Sequence, residues 1–238
     1  ETVVDDFLQT SENWRNLLKH MKSVRTFAFQ TWTSASLEDM GWRQDPVMSN
    51  TGTRPVNLRA DSTQLIQWED WAPHKMPKNR TYYGGFLPDD PNEPTTPAPE
   101  YPATQTNHVR EMAMSFLEDG AQVYWPSVLQ NGGFPWDILI AEDDIEGRDR
   151  IDSQFMVANI DPTMRYVQSP VGSSKFRLHT DQSGYDNLFL AGDWTRTGLN
   201  IGTVEAAIVS GKLAASALTG EHIDVWGAQR IQVPVNQA

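Results

Sequence analysis

Leu188-Phe189-Leu190-Ala191-Gly192-Asp193-Trp194-Thr195 is the stretch that decides the reading of this chain. Four apolar residues bounded by turn formers have the look of a buried strand, and Gly192 and Asp193 mark its end. A polar loop follows, Arg196-Thr197-Gly198-Leu199-Asn200-Ile201-Gly202, and a helix is predicted to open at Thr203-Val204-Glu205-Ala206-Ala207-Ile208. It runs through Ser210, Gly211, Ala214, Ala215 and Leu218, and Gly220 stops it. A strand ending in Gly-Asp ahead of a helix N-terminus sets a carboxylate beside backbone N–H groups that have no intrahelical acceptor. At the positive end of the helix dipole those donors suit an electron-rich oxygen or a phosphate. The carboxylate suits sugar hydroxyls. Glycine at 202 allows a ligand ring close to the backbone. The small residues at 206, 207, 210, 211, 214 and 215 allow the helix to lie tight against a sheet or a ligand. The same residues also read as an ordinary buried strand–loop–helix with a helix-favouring alanine run.

Working outward, Trp14, Leu17, Leu18 and Met21 fall at helical spacing behind Ser11, a candidate N-cap. Thr26-Phe27-Ala28-Phe29-Gln30-Thr31-Trp32 reads as a strand with Phe27, Phe29 and Thr31 on one face and Ala28, Gln30 and Trp32 on the other. Residues 44–62 read as polar and turn-rich, followed by a weak apolar patch at Leu65, Ile66 and Trp68. Thr81-Tyr82-Tyr83-Gly84-Gly85-Phe86-Leu87 is predicted as a strand, weakened or bulged at its glycines. Six prolines within 88–102 predict an extended surface connection. Val109, Met112, Ala113, Phe116 and Leu117 form the stripe of a second helix, 142–147 an acidic loop, and 154–158 a further strand.

The 238 residues carry 19 Lys and Arg against 31 Asp and Glu, a net charge of −12. That sign argues against gripping nucleic acid or lying on an anionic membrane. The absence of cysteine excludes disulfides, thiolate catalysis and Cys-ligated metals, and inclines the reading toward a reducing, cytoplasmic compartment. The start, Glu1-Thr2-Val3-Val4-Asp5, has neither the basic end nor the apolar run of a signal peptide, and no run of about 18 apolar residues suggests a membrane span. The five histidines, at 20, 74, 108, 179 and 222, form no H-x-x-x-H or H-x-H pair, so no metal site is expected. No G-x-S-x-G elbow points to a serine hydrolase.

Residues 187–220 resemble the C-terminal signature of the FAD-dependent amine oxidase and carotenoid (phytoene) desaturase superfamily. Ala158-Asn159-Ile160-Asp161-Pro162-Thr163-Met164-Arg165-Tyr166-Val167, with Pro170-Val171-Gly172-Ser173, looks like what precedes that signature in a bacterial desaturase-like branch. Phe29-Gln30-Thr31-Trp32, Gly41-Trp42 and Phe86-Leu87-Pro88-Asp89 match more loosely. The resemblance implies an FAD-dependent enzyme that removes a hydride from a C–N or C–C bond. By it, Gly192 and Asp193 end the strand at the ribityl or pyrophosphate region. Trp194, Thr195 and Asn200 lie in the loop beside the isoalloxazine, and Gly202, Thr203 and Val204 turn N–H groups to the flavin's pyrimidine edge. Gln30, Trp32, Tyr83 and Arg196 are the candidates for a substrate pocket, and no catalytic residue is singled out.

The fold class that follows is α/β, an α+β mixed sheet. Residues 1–180 would be the substrate-binding region, 181–220 the C-terminal strand–loop–helix of an FAD-binding domain, and 221–238 a tail. The G-x-G-x-x-G that seats a dinucleotide pyrophosphate does not occur in the chain. The dinucleotide-binding βαβ half is therefore expected on a separate chain or a removed segment, making a heteromer, with a small molecule as substrate. Without that half the chain is not expected to hold FAD tightly. A different class of reading stays open, in which nine tryptophans serve a non-catalytic ligand-binding module that uses no flavin.

Overall fold

The structure, a computed structural model, describes residues 2–45, 48–50, 52, 54–94, 98–128 and 133–225. In chain order it has helices α1 (Thr2–Thr10) and α2 (Glu12–His20), then strands β1 (Ser23–Val24), β2 (Thr26–Thr33), β3 (Met48–Asn50), β4 (Leu58–Asp61) and β5 (Asn79–Phe86). Helix α3 (Tyr101–Ser115), strands β6 (Phe155–Asn159) and β7 (Tyr166–Val167), and helix α4 (Val204–Thr219) complete the regular elements. Short 3-10 turns link them. The content is α+β with antiparallel sheets. The chain forms two compact units, residues 25–165 and residues 1–24 with 166–238. This packing line differs from the division by role at 180. Among the described residues no helix is long and apolar enough to cross a membrane.

The 25–165 unit is built on a five-stranded sheet in the order β3-β4-β5-β2-β6, every neighbouring pair antiparallel. Period-two alternation sends Phe27, Phe29, Thr31 and Thr33 of β2, with Asn79, Thr81 and Tyr83 of β5, to the buried face. There Phe29 stacks on Tyr83 at 4.5 Å, and Phe116 and Trp125 meet Tyr83 edge-on. Helix α3 lies against β6 and β2 and adds Val109, Ala113 and Met114 to this core. It continues into a wider turn at Phe116–Gly120 that buries Phe116 and Leu117.

Three expectations change here. Residues 44–62 hold two strands, the edge strand β3 and its neighbour β4, which the sequence does not announce because both are short and β4 carries a buried arginine at 59 in place of apolar alternation. No bulge occurs at the glycines of β5, since Gly84 and Gly85 pair in register with Ala28 and Phe27. A Cβ on Gly85 would come within 2.3 Å of the Pro55 carbonyl oxygen, so glycine serves close approach instead. The proline-rich connection is helical from Tyr101, with Pro102 in the first turn, where a missing N–H costs nothing; residues 95–97 lie outside the described residues.

The other unit joins α1, α2, a two-residue ladder of β1 with β7, and α4. Trp14, Leu17, Leu178 and Leu190 form its small apolar cluster, with Phe7, Leu8, Met21, Leu188 and Trp194 against it. Ser11 stands at the N-cap of α2 in extended conformation, but its side chain makes no capping bond. Leu188–Ala191 is not a strand. Its backbone bonds run from Leu188 N–H to the Tyr185 carbonyl at 3.4 Å and from Leu190 N–H to the Thr180 carbonyl at 2.8 Å. A ladder needs a partner strand, and none lies beside it among the described residues.

Candidate functional site

The loop from Gly192 to Thr203 is held from below by α4 and by the segment 166–178. Gly192 has φ +133°, which only glycine adopts readily, and a Cβ there would strike the Trp194 indole at 2.6 Å. Its N–H donates to Ser210 Oγ at 3.0 Å, and its carbonyl accepts from Thr195 Oγ1 at 2.9 Å. Thr195 Oγ1 and Ser210 Oγ lie 2.7 Å apart, and both residues are fully buried. A turn of α4 is thereby pinned to the turn that carries Asp193. That explains a serine at 210 in a row of small residues.

Arg177 is the second anchor, and it is 1% exposed. One Nη donates to the Asp193 carbonyl at 2.6 Å and reaches the Thr195 carbonyl at 3.5 Å; the other donates to Ser169 Oγ at 2.9 Å. Ser169 in turn donates to the Asn200 carbonyl. Burial pulls the Arg177 guanidinium below its ordinary range, with Asp193 and Tyr166 acting the other way. Nothing in the sequence marks position 177. The signal is purely three-dimensional, a buried charge whose two Nη groups serve loop carbonyls and the Ser169 hydroxyl that supports the loop.

The expected loop residues, Gly192, Asp193, Trp194, Thr195, Asn200, Gly202, Thr203 and Val204, therefore lie together in one unit, with Arg196 among them. The Asp193 carboxylate is half-buried and accepts no hydrogen bond among the described residues. Asn200 sits in the left-handed region at φ +53°, its buried Oδ1 without a donor. Thr203 caps α4, its Oγ1 accepting from Ala206 N–H at 3.2 Å. Val204 and Glu205 are left with N–H groups that no intrahelical carbonyl meets. Gly220 closes the helix in the left-handed conformation. The ring that approaches Gly202 is the chain's own: Tyr166 would be 2.5 Å from a Cβ there. Trp194 turns inward toward Trp14, with ring centroids 6.3 Å apart. Arg196 donates its backbone N–H to the Leu178 carbonyl at 2.8 Å. Its charge adds to burial in holding the neighbouring His179 below the usual histidine range. The Thr203→Ala substitution removes the cap and is expected to lower the unit's stability by about 1 kcal/mol in urea unfolding, while Thr203→Ser is expected to keep it.

Gln30, Trp32 and Tyr83 belong to the 25–165 unit, and they do not share a face. Tyr83 is 1% exposed in the aromatic core, and burial pushes its phenol well up from its ordinary range. Gln30 and Trp32 lie on the opposite, half-exposed face. There Gln30 accepts from Arg80, and the Trp32 and Trp71 indoles both donate to one Glu69 oxygen at 2.8 Å. Glu69 also pairs with Arg80 at 3.0 Å. This fixed cluster on the open sheet face was not marked in the sequence beyond Gln30 and Trp32. Three cavities of 430–490 Å³ occur in this unit, and none of the three is lined by Gln30, Trp32 or Tyr83.

Residues 152–219 match the family model described as flavin containing amine oxidoreductase. Over this segment the chain is similar to the flavin-containing amine oxidoreductases. The match begins just before β6 and ends at the last residue of α4, so it takes in the whole Gly192–Thr203 loop and both of its anchors. No curated protein matches the chain. A flavin of this family fits the residues present: a half-buried carboxylate, a buried amide oxygen lacking a donor and two N–H groups without intrahelical acceptors lie on one loop and the helix start that follows it.

Proposed function

We propose that this chain supplies the C-terminal part of the FAD site in an oxidoreductase of the amine oxidase type, which removes a hydride from a C–N or C–C bond. The observation that carries the proposal is the Gly192–Thr203 loop, pinned by Ser210 and Arg177 inside the family match. When bound, FAD supplies a two-electron acceptor. The chain's own contribution is binding and orientation. Asp193 would accept from ribityl hydroxyls, and the α4 start would donate to an electron-rich edge of the ring. Arg177 and Ser210 act beneath them as positioning residues. Gln30 and Trp32, immobilised by Arg80 and Glu69, are the side chains proposed to wall a substrate pocket.

Two surfaces support a separate dinucleotide-binding half. Leu188–Ala191 has no partner strand among the described residues, and α4 leaves Val204, Ile208 and Leu218 exposed. A half carrying G-x-G-x-x-G would complete the strand and cover the helix. The test is a visible absorption spectrum of natively purified material, with intact mass spectrometry of every co-purifying chain. Flavin bands accompanied by a G-x-G-x-x-G segment are expected. Protein that stays colourless once FAD and that half are supplied would overturn the proposal. In the flavin-loaded assembly, Asp193→Ala is expected to weaken flavin retention about 10–100-fold, the worth of one charge-assisted hydrogen bond. Unchanged flavin content on gel filtration would remove Asp193 from the site.

A further inference from the structure

Arg59 is fully enclosed in the 25–165 unit, and none of its three guanidinium nitrogens has a hydrogen-bond partner among the described residues. Strand β4 places it in a cross-strand row, opposite Ser49 of β3 and Tyr83 of β5, and directly opposed residues share a sheet face. The guanidinium carbon lies 4.8 Å from the centre of the Trp42 ring and 5.4 Å from that of Tyr124. The further polar atoms buried here without partners among the described residues include Ser49 Oγ, the Tyr83 hydroxyl and the Nε1 of Trp125, whose ring meets that of Tyr83 at 6.0 Å. Each of these groups can donate.

No carboxylate pairs with Arg59 among the described residues. The undescribed residues of this unit, at 46, 47, 51, 53, 95–97 and 129–132, include no Asp or Glu. The adjacent acid, Tyr83, is held protonated by burial, so it supplies no negative charge at neutral pH. Contact with two aromatic rings returns only part of the hydration an arginine loses on full burial. A water molecule could meet the donors without meeting the charge. An anion does both.

We propose that Arg59 anchors an enclosed site for one small monovalent anion, of acetate or chloride size. Ser49 and Trp125 would add donors, and the half-buried Trp42 ring covers one side of the guanidinium. The site is independent of the flavin reading, since it lies in the unit that does not carry the loop.

The probes are sodium acetate and sodium chloride, each titrated into the 238-residue chain at ionic strength held constant with sodium gluconate, whose anion is too large to enter. Thermal unfolding is followed by tryptophan fluorescence. An occupied site raises the midpoint with the logarithm of anion concentration, by about 4 °C or more at saturating excess. A rise with acetate alone identifies a carboxylate site, and a rise with chloride a halide site. Arg59→Met removes the charge while filling similar space. It is expected to abolish the anion dependence and to be no less stable than the parent chain in gluconate. Should that variant fail to fold, line broadening of ¹³C-acetate and ³⁵Cl⁻ resonances by the unaltered chain reads the same site directly. Flat midpoints together with unbroadened resonances would overturn the proposal and leave Arg59 as a ring-caged structural cation.

Discussion

Replacing Arg177 with methionine is expected to remove about 2–4 kcal/mol from the unit that carries the loop. The arginine side chain is 1% exposed, and its donors meet the carbonyls of Asp193 and Thr195 and the hydroxyl of Ser169. Methionine fills comparable space but donates nothing, so these oxygens lose their partners at a site too closed for water to replace them all. The loss should appear as a lower urea midpoint with little change in slope. Lysine at 177 should recover less than half of it, because one ammonium cannot span acceptors on both sides of a planar fork. In the flavin-loaded assembly the same substitution should loosen flavin and shift its absorption bands. A merely structural arginine would leave those bands alone. A stability loss below about 1 kcal/mol would mean that the turn is held by the Gly192–Ser210–Thr195 contacts without it.

Phe29→Ala should cost the sheet-bearing unit about 3–5 kcal/mol, the range for emptying a fully enclosed aromatic site. Phe29 is 0% exposed, stacked 16° from parallel on Tyr83 and edge-on to Phe116. The cavity it leaves cannot close, because β2 is tied on one side to β5 and on the other to β6. Trp68, 81% exposed on a 3-10 turn, provides the contrast: Trp68→Ala should stay within about 0.5 kcal/mol. With two compact units, unfolding is to be followed with more than one probe, so that each loss is assigned to its own transition. Equal effects of the two substitutions would contradict the packing described.

What could be read in the chain beforehand tracks how local the governing physics is. Helix α4 was legible at both ends because a threonine cap and a left-handed glycine are local devices, and both are where the sequence puts them. Strand β2 was legible because its apolar alternation spans eight residues. Leu188–Ala191 misled for the opposite reason: its composition suits a strand, but strandedness is a property of pairs. Strands β3 and β4 escaped notice because a buried arginine sits where alternation would place an apolar residue. Gln30 and Trp32 could be placed on one face by counting, whereas Tyr83 shares a face with Phe29 only through the β2–β5 register, which counting along one strand does not give. Arg177 and Ser210 lie 16 and 18 residues from the backbone groups they hold, and no short motif announces either of them.

The ladder of β1 with β7 has a consequence for the order in which the chain assembles. Ser23 faces Val167 and Val24 faces Tyr166, so two residue pairs close an excursion of roughly 140 residues. For a disordered chain that closure costs about 4 kcal/mol of entropy, more than so short a ladder returns. The cost largely disappears once the excursion has folded, because Thr26 and Asn159 are then registered on neighbouring strands and Glu93 holds Arg165 while lying 4.0 Å from Arg25. The ladder is thus expected to close after the 25–165 unit has folded, because that unit brings residues 25 and 165 near each other.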